Sequence, residues 1–125
     1  MKIWLDDHHW LPGTSKSTPP GWNGIGSVEE LMRIIEHLDF PGIDEMSFDW
    51  DLGRDPSGGQ FPDGSMAMEL LATRAKEKRD TKYWPKIVRV HTTHIEWTLT
   101  MIRFAQETKA ELRKMFPDLL ASATT

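Results

Sequence analysis

Strand-like runs alternate with helix-period segments along this chain, and three of the runs end in residues able to carry chemistry. Ile3-Trp4-Leu5 runs into Asp6-Asp7. Met46-Ser47-Phe48 runs into Asp49-Trp50-Asp51-Leu52-Gly53. Ile87-Val88-Arg89-Val90 runs into His91-Thr92. The order β, loop, weak β, α, β, α, β, α predicts a parallel sheet with helices on its faces. Right-handed crossovers bring the C-terminal ends of such strands to one edge, and that edge is where open α/β sheets bind ligands. The expectation is one acidic, cation-binding pocket built from three strand ends.

The boundaries follow from periodicity and punctuation. Residues 2–5 read as a strand apolar enough to be buried on both faces. Residues 6–20 form a long loop, Asp-Asp-His-His-Trp-Leu-Pro-Gly and then a Ser/Thr/Lys/Pro stretch; loops of that length in a small domain are usually functional or mobile. Residues 22–25 form a short strand weakened by glycine. Ser27 with Glu30 three residues on is a capping box. Leu31, Ile34, Ile35 and Leu38 then mark one face of a helix to about residue 38.

Residues 43–48 are the next strand, and 53–65 a second long loop rich in Gly, Pro and Asp. A helix over 66–79 turns Met66, Leu70 and Leu71 inward, and a strand follows over 86–91. The last helix, 94–115, carries Ile95, Leu99, Ile102, Ala105, Leu112 and Met115 at helical spacing, with Pro117 as its stop. With 125 residues and no internal repeat, the chain fits one domain over 1–117 and a tail over 118–125.

Composition excludes several classes. The absence of cysteine rules out a disulfide scaffold and a Cys-ligated zinc site, and fits a cytoplasmic location. A net charge of −4 argues against general DNA or RNA binding, which needs a basic face. No apolar run approaches the roughly 20 residues of a membrane span, and acids by residue 6 argue against a signal peptide.

At the level of motifs the chain resembles response-regulator receiver domains, and more closely their divergent branch, the cyclic-phosphate processing receiver-like domains. The resemblance rests on Lys2-Ile3-Trp4-Leu5-Asp6-Asp7, Pro20-Gly21-Trp22, Ser27 to Glu30, Ser47 to Gly53 and Val90-His91-Thr92, spread over about residues 2–105. It implies a single-domain receiver-like (flavodoxin-like) three-layer α/β/α fold with a short, mostly parallel four-stranded sheet. It also implies a metal-dependent phosphoesterase-like activity on 2′,3′-cyclic phosphate ends or cyclic nucleotides, of use in RNA repair or nucleotide metabolism. Where the branch tends to place a histidine between the two aspartates, this chain has Trp50, and it lacks the final strand and lysine of an ordinary receiver.

Several carboxylates in one pocket repel one another unless a cation joins them. Mg²⁺ (or Mn²⁺) answers that need through oxygen ligands. Asp7 and Asp49 are the candidate direct ligands, Asp6 a ligand through water, and Asp51 a ligand or general base. Histidine is a common general acid, and His91 is the candidate to protonate a leaving alkoxide, while Thr92 is placed to donate to a phosphoryl oxygen. The bland reading of the same residues is turn capping and a histidine satisfied by its own surroundings. The alternative function is a catalytically degenerate receiver-like domain that binds a protein partner, as a phage or mobile-element accessory protein would.

Other motif readings fail on particular residues. An EF-hand over residues 49–60 needs glycine where Arg54 stands and glutamate where Gln60 stands. Ser57-Gly58-Gly59 lacks the Gly-Lys-Ser/Thr end of a P-loop. A haloacid-dehalogenase reading of Asp49-Trp50-Asp51 meets Gly53 where that class usually has threonine.

Overall fold

The structure, a computed structural model, describes residues 1–53, 57, 63–92 and 94–117. The tail 118–125 and most of the loop 53–65 lie outside the described residues. In chain order the elements are β1 (Lys2–Leu5), β2 (Asn23–Ile25), α1 (Val28–Ile35), β3 (Glu45–Phe48), α2 (Gly64–Lys78), β4 (Ile87–Val90) and α3 (Ile95–Met115), with a 3-10 turn at Thr81–Tyr83. All strand pairings are parallel, and the order across the sheet is β2-β1-β3-β4. Four parallel strands and three helices make the expected receiver-like α/β fold. No helix among the described residues is long and apolar enough to cross a membrane.

Strand alternation sorts the side chains onto two faces. Ile3 and Leu5 of β1 stand beside Met46 and Phe48 of β3, and all are fully buried. Both β2→β3 and β3→β4 advance across the sheet in the same direction, so right-handed connections put α1 and α2 on this apolar face. α3 packs against α2 and β4. Each fully buried Leu, Ile, Phe or Met side chain is worth about 1.5–3 kcal/mol, so this layer dominates the stability.

The opposite face carries Lys2, Trp4, Glu45, Ser47, Ile87 and Arg89. There the connection 6–22, rather than a helix, covers Trp4. The Trp4 indole N–H donates to the Lys16 carbonyl at 2.9 Å, and Trp22 meets Trp4 edge-on at 5.9 Å. Arg89 Nε donates to the Glu45 carboxylate at 2.7 Å further along the same face. This arrangement fixes the loop that follows β1 over the C-terminal edge of the sheet.

The α1 capping box is formed. Ser27 Oγ accepts the Glu30 N–H at 3.1 Å, and the Glu30 carboxylate accepts the Gly26 N–H at 2.7 Å. Ser27→Ala is expected to cost about 1 kcal/mol, measured by urea unfolding, because it orphans a helix N–H and frees Glu30.

Three helix readings need correction. α1 ends at Ile35, and Leu38 is 99% exposed rather than on the inward face. Phe40 turns into the core instead and packs against Tyr83, so the larger ring takes the place the spacing assigned to Leu38. In α2 Met66 is half exposed, and the inward set is Ala67, Met68, Leu71, Ala72 and Ala75. Small alanines bring that helix close to the sheet, and Asp63 as N-cap starts it earlier than expected. In α3 Ile95, Leu99, Ile102 and Met115 are exposed, while Met101, Ala105, Thr108 and Leu112 face inward. Two apolar rows lie about 100° apart on this helix, and the row that includes Thr108 is the one packed against α2 and β4.

Candidate metal centre

Asp6 follows β1 and is fully buried; Asp49 follows β3 and is 2% exposed. Their positions are set by backbone hydrogen bonds at the sheet edge. The Asp6 N–H donates to the Ile25 carbonyl at 2.9 Å and the Asp49 N–H to the Leu5 carbonyl at 3.0 Å, so each aspartate continues the ladder one step past its strand. His91 extends β4 in the same way, donating its N–H to the Phe48 carbonyl at 3.0 Å. Asp6, Asp49 and His91 each offer an atom within 4.8 Å of the others, a spacing that one metal ion can bridge.

Asp6 uses both oxygens. Oδ1 accepts the His8 N–H at 2.8 Å and Oδ2 lies 3.0 Å from His91 Nε2. Burial alone would push the Asp6 carboxyl up, but the His91 and His8 hydrogen bonds, with Lys16 nearby, hold it below its ordinary value. Asp7, with His8 Nδ1 at 3.3 Å, behaves in the opposite way. Burial pushes its carboxyl up, and the neighbouring Asp6 and Asp49 carboxylates add to that against the pull of His8 and Lys16. Asp6, Asp7 and His8 form a second group with donor atoms within 4.8 Å of one another.

Lys16 is the residue that sequence reasoning missed. It sits among Ser, Thr and Pro in the loop, where its spacing carries no signal. The fold brings its ammonium to 3.0 Å from Asp49 Oδ2 and 3.7 Å from Asp6 Oδ2. Burial would lower the Lys16 pKa, but the hydrogen bond and charge of Asp49, then Asp6 and Asp7, raise it. The chain therefore places its own cation between two buried carboxylates. That arrangement is the test of fit for a divalent ion. The donor set is mainly carboxylate oxygen, its negative charge exceeds what one lysine balances, and the Lys16 ammonium already stands between two of the carboxylates.

His91 is held on all sides. Nε2 lies 3.0 Å from Asp6 Oδ2 and Nδ1 2.7 Å from Ser47 Oγ, so both ring nitrogens are hydrogen-bonded. The ring lies flat on Trp4, with centroids 3.9 Å apart and planes 10° from parallel. Ser47, His91 and Asp6 form a hydrogen-bonded row, yet Ser47 is 2% exposed and so is closed to substrate. A lone serine between Met46 and Phe48 was the readable signal for that row.

The remaining candidates stand apart. The Asp51 carboxylate turns back to accept the Gly53 N–H at 2.9 Å and joins neither ligand group. Thr92 Oγ1 accepts the His94 N–H at 3.4 Å. Trp50 donates its N–H to Asp49 Oδ1 at 2.9 Å, while its ring stacks on Trp97. A cavity lined by Met1, Arg33, Ile34, His37, Asp39, Phe40 and Pro41 lies at the opposite, N-terminal edge of the strands and contains none of these residues.

A four-stranded parallel sheet in the order β2-β1-β3-β4, with aspartates ending β1 and β3, defines a receiver-type α/β domain. The family model for the cyclic-phosphate processing receiver domain matches residues 1–107. The chain belongs to that family. Comparisons with curated proteins and with solved structures find no match.

Proposed function

We propose that this chain is a divalent-metal-dependent phosphoesterase that opens 2′,3′-cyclic phosphates of nucleotides or RNA ends. The observation that carries this reading is the convergence of Asp6, Asp7 and Asp49 at one sheet edge in a member of a cyclic-phosphate processing family. Asp6, Asp7 and Asp49 would hold Mg²⁺ or Mn²⁺; when bound, the ion would supply charge at a phosphoryl oxygen and lower the pKa of water.

The chain's own residues divide the remaining work. Ser47 and Trp4 fix the His91 ring, and His91 in turn fixes Asp6 Oδ2, which makes His91 a positioning residue. Asp7 is the more open carboxylate, 22% exposed against 0% for Asp6, and so faces an arriving ligand. Asp51 and Thr92 spend side-chain oxygens on the backbone N–H groups of Gly53 and His94. In the hydrolysis a water oxygen bonds to phosphorus and one ribose–phosphate oxygen bond breaks. One water proton ends on the freed ribose hydroxyl and the other on the phosphomonoester.

The test is Mg²⁺- or Mn²⁺-dependent conversion of a 2′,3′-cyclic nucleotide to its monoester; no conversion by the intact chain sinks the enzymatic reading. Lys16→Met offers a check that does not depend on turnover. It removes the competing ammonium but keeps the aliphatic stem over the sheet, and is expected to tighten Mn²⁺ binding about tenfold by calorimetry. A second reading, a non-enzymatic domain that docks a protein partner, draws on the exposed row Ile95, Leu99 and Ile102 of α3.

A further inference from the structure

Residues 10–17 are the tip of the loop between β1 and β2, and residues 10–15 are exposed. The tip is bonded to itself. The Thr14 and Ser17 hydroxyls both donate to the Leu11 carbonyl, and the Thr14 hydroxyl accepts the Lys16 N–H. Its base is fixed. The Thr18 N–H donates to the His9 carbonyl at 2.8 Å, and the Thr18 hydroxyl meets the His9 ring at 3.2 Å. Both side chains lie so close to Gly24 of β2 that a Cβ there would collide with them. Among the described residues, the hydrogen bonds and ion pairs that tie the tip to anything outside residues 7–22 are made by Lys16. Its carbonyl takes the Trp4 indole N–H, and its ammonium meets Asp49 and Asp6.

We propose that this loop is an autoinhibitory strap: Lys16 is the counter-ion it inserts between the carboxylates, Trp4 is the positioning residue that keeps Lys16 there, and a divalent ion entering the centre expels Lys16 and frees the tip. The strap rests on the metal reading above and deepens it by naming what regulates that site. Asp49 has one oxygen to offer. Its Oδ1 accepts the Trp50 N–H at 2.9 Å, and its Oδ2 takes the Lys16 ammonium at 3.0 Å. An ion bound by Asp49 therefore needs the oxygen that Lys16 holds. Asp6 Oδ2, 3.7 Å from the same ammonium, is also the oxygen that His91 meets. A divalent ion on these two oxygens would stand beside the ammonium in a half-buried site, where like charges repel far more than in water. One cation excludes the other.

Trp4 touches both halves of the centre. Its indole N–H donates to the Lys16 carbonyl at 2.9 Å, while its ring lies flat on His91 with centroids 3.9 Å apart. The two contacts separate by chemistry, since the N–H serves Lys16 and the ring face serves His91. Trp4→Phe removes the only hydrogen-bonding group of the side chain and keeps an aromatic ring. Lys16 then loses the anchor on its backbone and holds the carboxylates less tightly. The tip can leave as a unit, because its own hydrogen bonds and the His9–Thr18 base do not involve Trp4.

Two measurements on the full chain test the strap. The first is trypsin cleavage of the wild type, which needs no variant. Between Lys2 and Arg33 the sequence has no basic cleavage site except Lys16, so a cut after it gives a distinct fragment by mass spectrometry. Saturating Mn²⁺ should speed that cut severalfold, measured against a free peptide of residues 10–22. A bound ion ordinarily protects a folded chain, so the expected sign is the reverse of simple stabilisation. The second is calorimetry with Mn²⁺ on a double-mutant cycle. Trp4→Phe should tighten binding about threefold and Lys16→Met about tenfold. The double variant should bind no tighter than Lys16→Met alone, because the Trp4 N–H acts through Lys16. A cut after Lys16 that Mn²⁺ slows or leaves unchanged overturns the strap and leaves the metal reading standing. So does a Trp4→Phe variant that weakens binding, or one whose effect persists in full beside Lys16→Met. No saturable Mn²⁺ binding to the wild type overturns both.

Discussion

Asp49→Asn is expected to weaken Mn²⁺ binding by about a hundredfold or more and to abolish cyclic-phosphate turnover while the fold persists. Even partners outside the ligand sphere of a metal site typically change affinity by about 10–100-fold, and Asp49 would be a direct ligand of the proposed ion. The substitution is nearly isosteric. The amide oxygen can still accept the Trp50 N–H that Asp49 Oδ1 accepts at 2.9 Å, so the turn after β3 keeps its geometry. What disappears is a charge 3.0 Å from Lys16 and close enough to Asp7 to raise its carboxyl. Loss of that repulsion offsets loss of the Lys16 pair, and the melting temperature without metal should stay near that of the wild type. Calorimetry with Mn²⁺ and a thermal melt read the two effects separately. A large drop in melting temperature would instead make Asp49 a structural residue.

Gly64→Ala is expected to destabilise the chain more than any exposed substitution and to disturb the candidate metal centre from outside it. Gly64 opens α2, is buried, and donates its N–H to the Trp50 carbonyl at 2.9 Å. A Cβ built there would overlap the Asp49 carbonyl oxygen, lie 2.9 Å from the Asp49 carbonyl carbon and touch the Met101 methyl at 3.0 Å. The backbone atoms cannot yield as a flexible side chain would, so either α2 or the strand end must move. Overpacking of this kind costs about 1–3 kcal/mol or more. If the strand end moves, Asp49 leaves its alignment with Asp6, and Mn²⁺ affinity falls with stability. Urea unfolding with and without Mn²⁺ follows both; unchanged stability would mean that α2 starts further from β3 than the structure has it.

The sheet and its edge were legible because each strand carries its own evidence. Ile3-Trp4-Leu5 and Met46-Ser47-Phe48 are too short and too apolar to be surface helix, and the acids after them mark where each strand stops. Helix faces were harder. α3 is apolar over more than one face, and the spacing marks Ile95, Leu99, Ile102, Ala105, Leu112 and Met115 as its inward set. Ala105 and Leu112 are inward as read, but they are joined by Met101 and Thr108 rather than by Ile95, Leu99 and Ile102, and a polar Thr108 in the packed row is what periodicity does not show. The acidic half of the site followed from strand ends. Its basic half did not, since Lys16 reaches Asp49 only because the Trp4 indole holds the Lys16 carbonyl over the second face of the sheet. His91 was visible as a candidate, but its partners Ser47 and Asp6 come from two other strands. Those contacts hold the ring against Asp6, which the β4 sequence by itself does not show.

The central claim is that these strand ends form one cation-holding pocket in which Lys16 stands where a metal would bind. The direct test is calorimetric titration of Mn²⁺ into the wild type, Asp49→Asn and Lys16→Met under the same conditions. The expected result is one ion per chain, with Asp49→Asn weakening and Lys16→Met tightening the binding. No saturable binding to the wild type, or two variants that shift the affinity in the same direction, would contradict it.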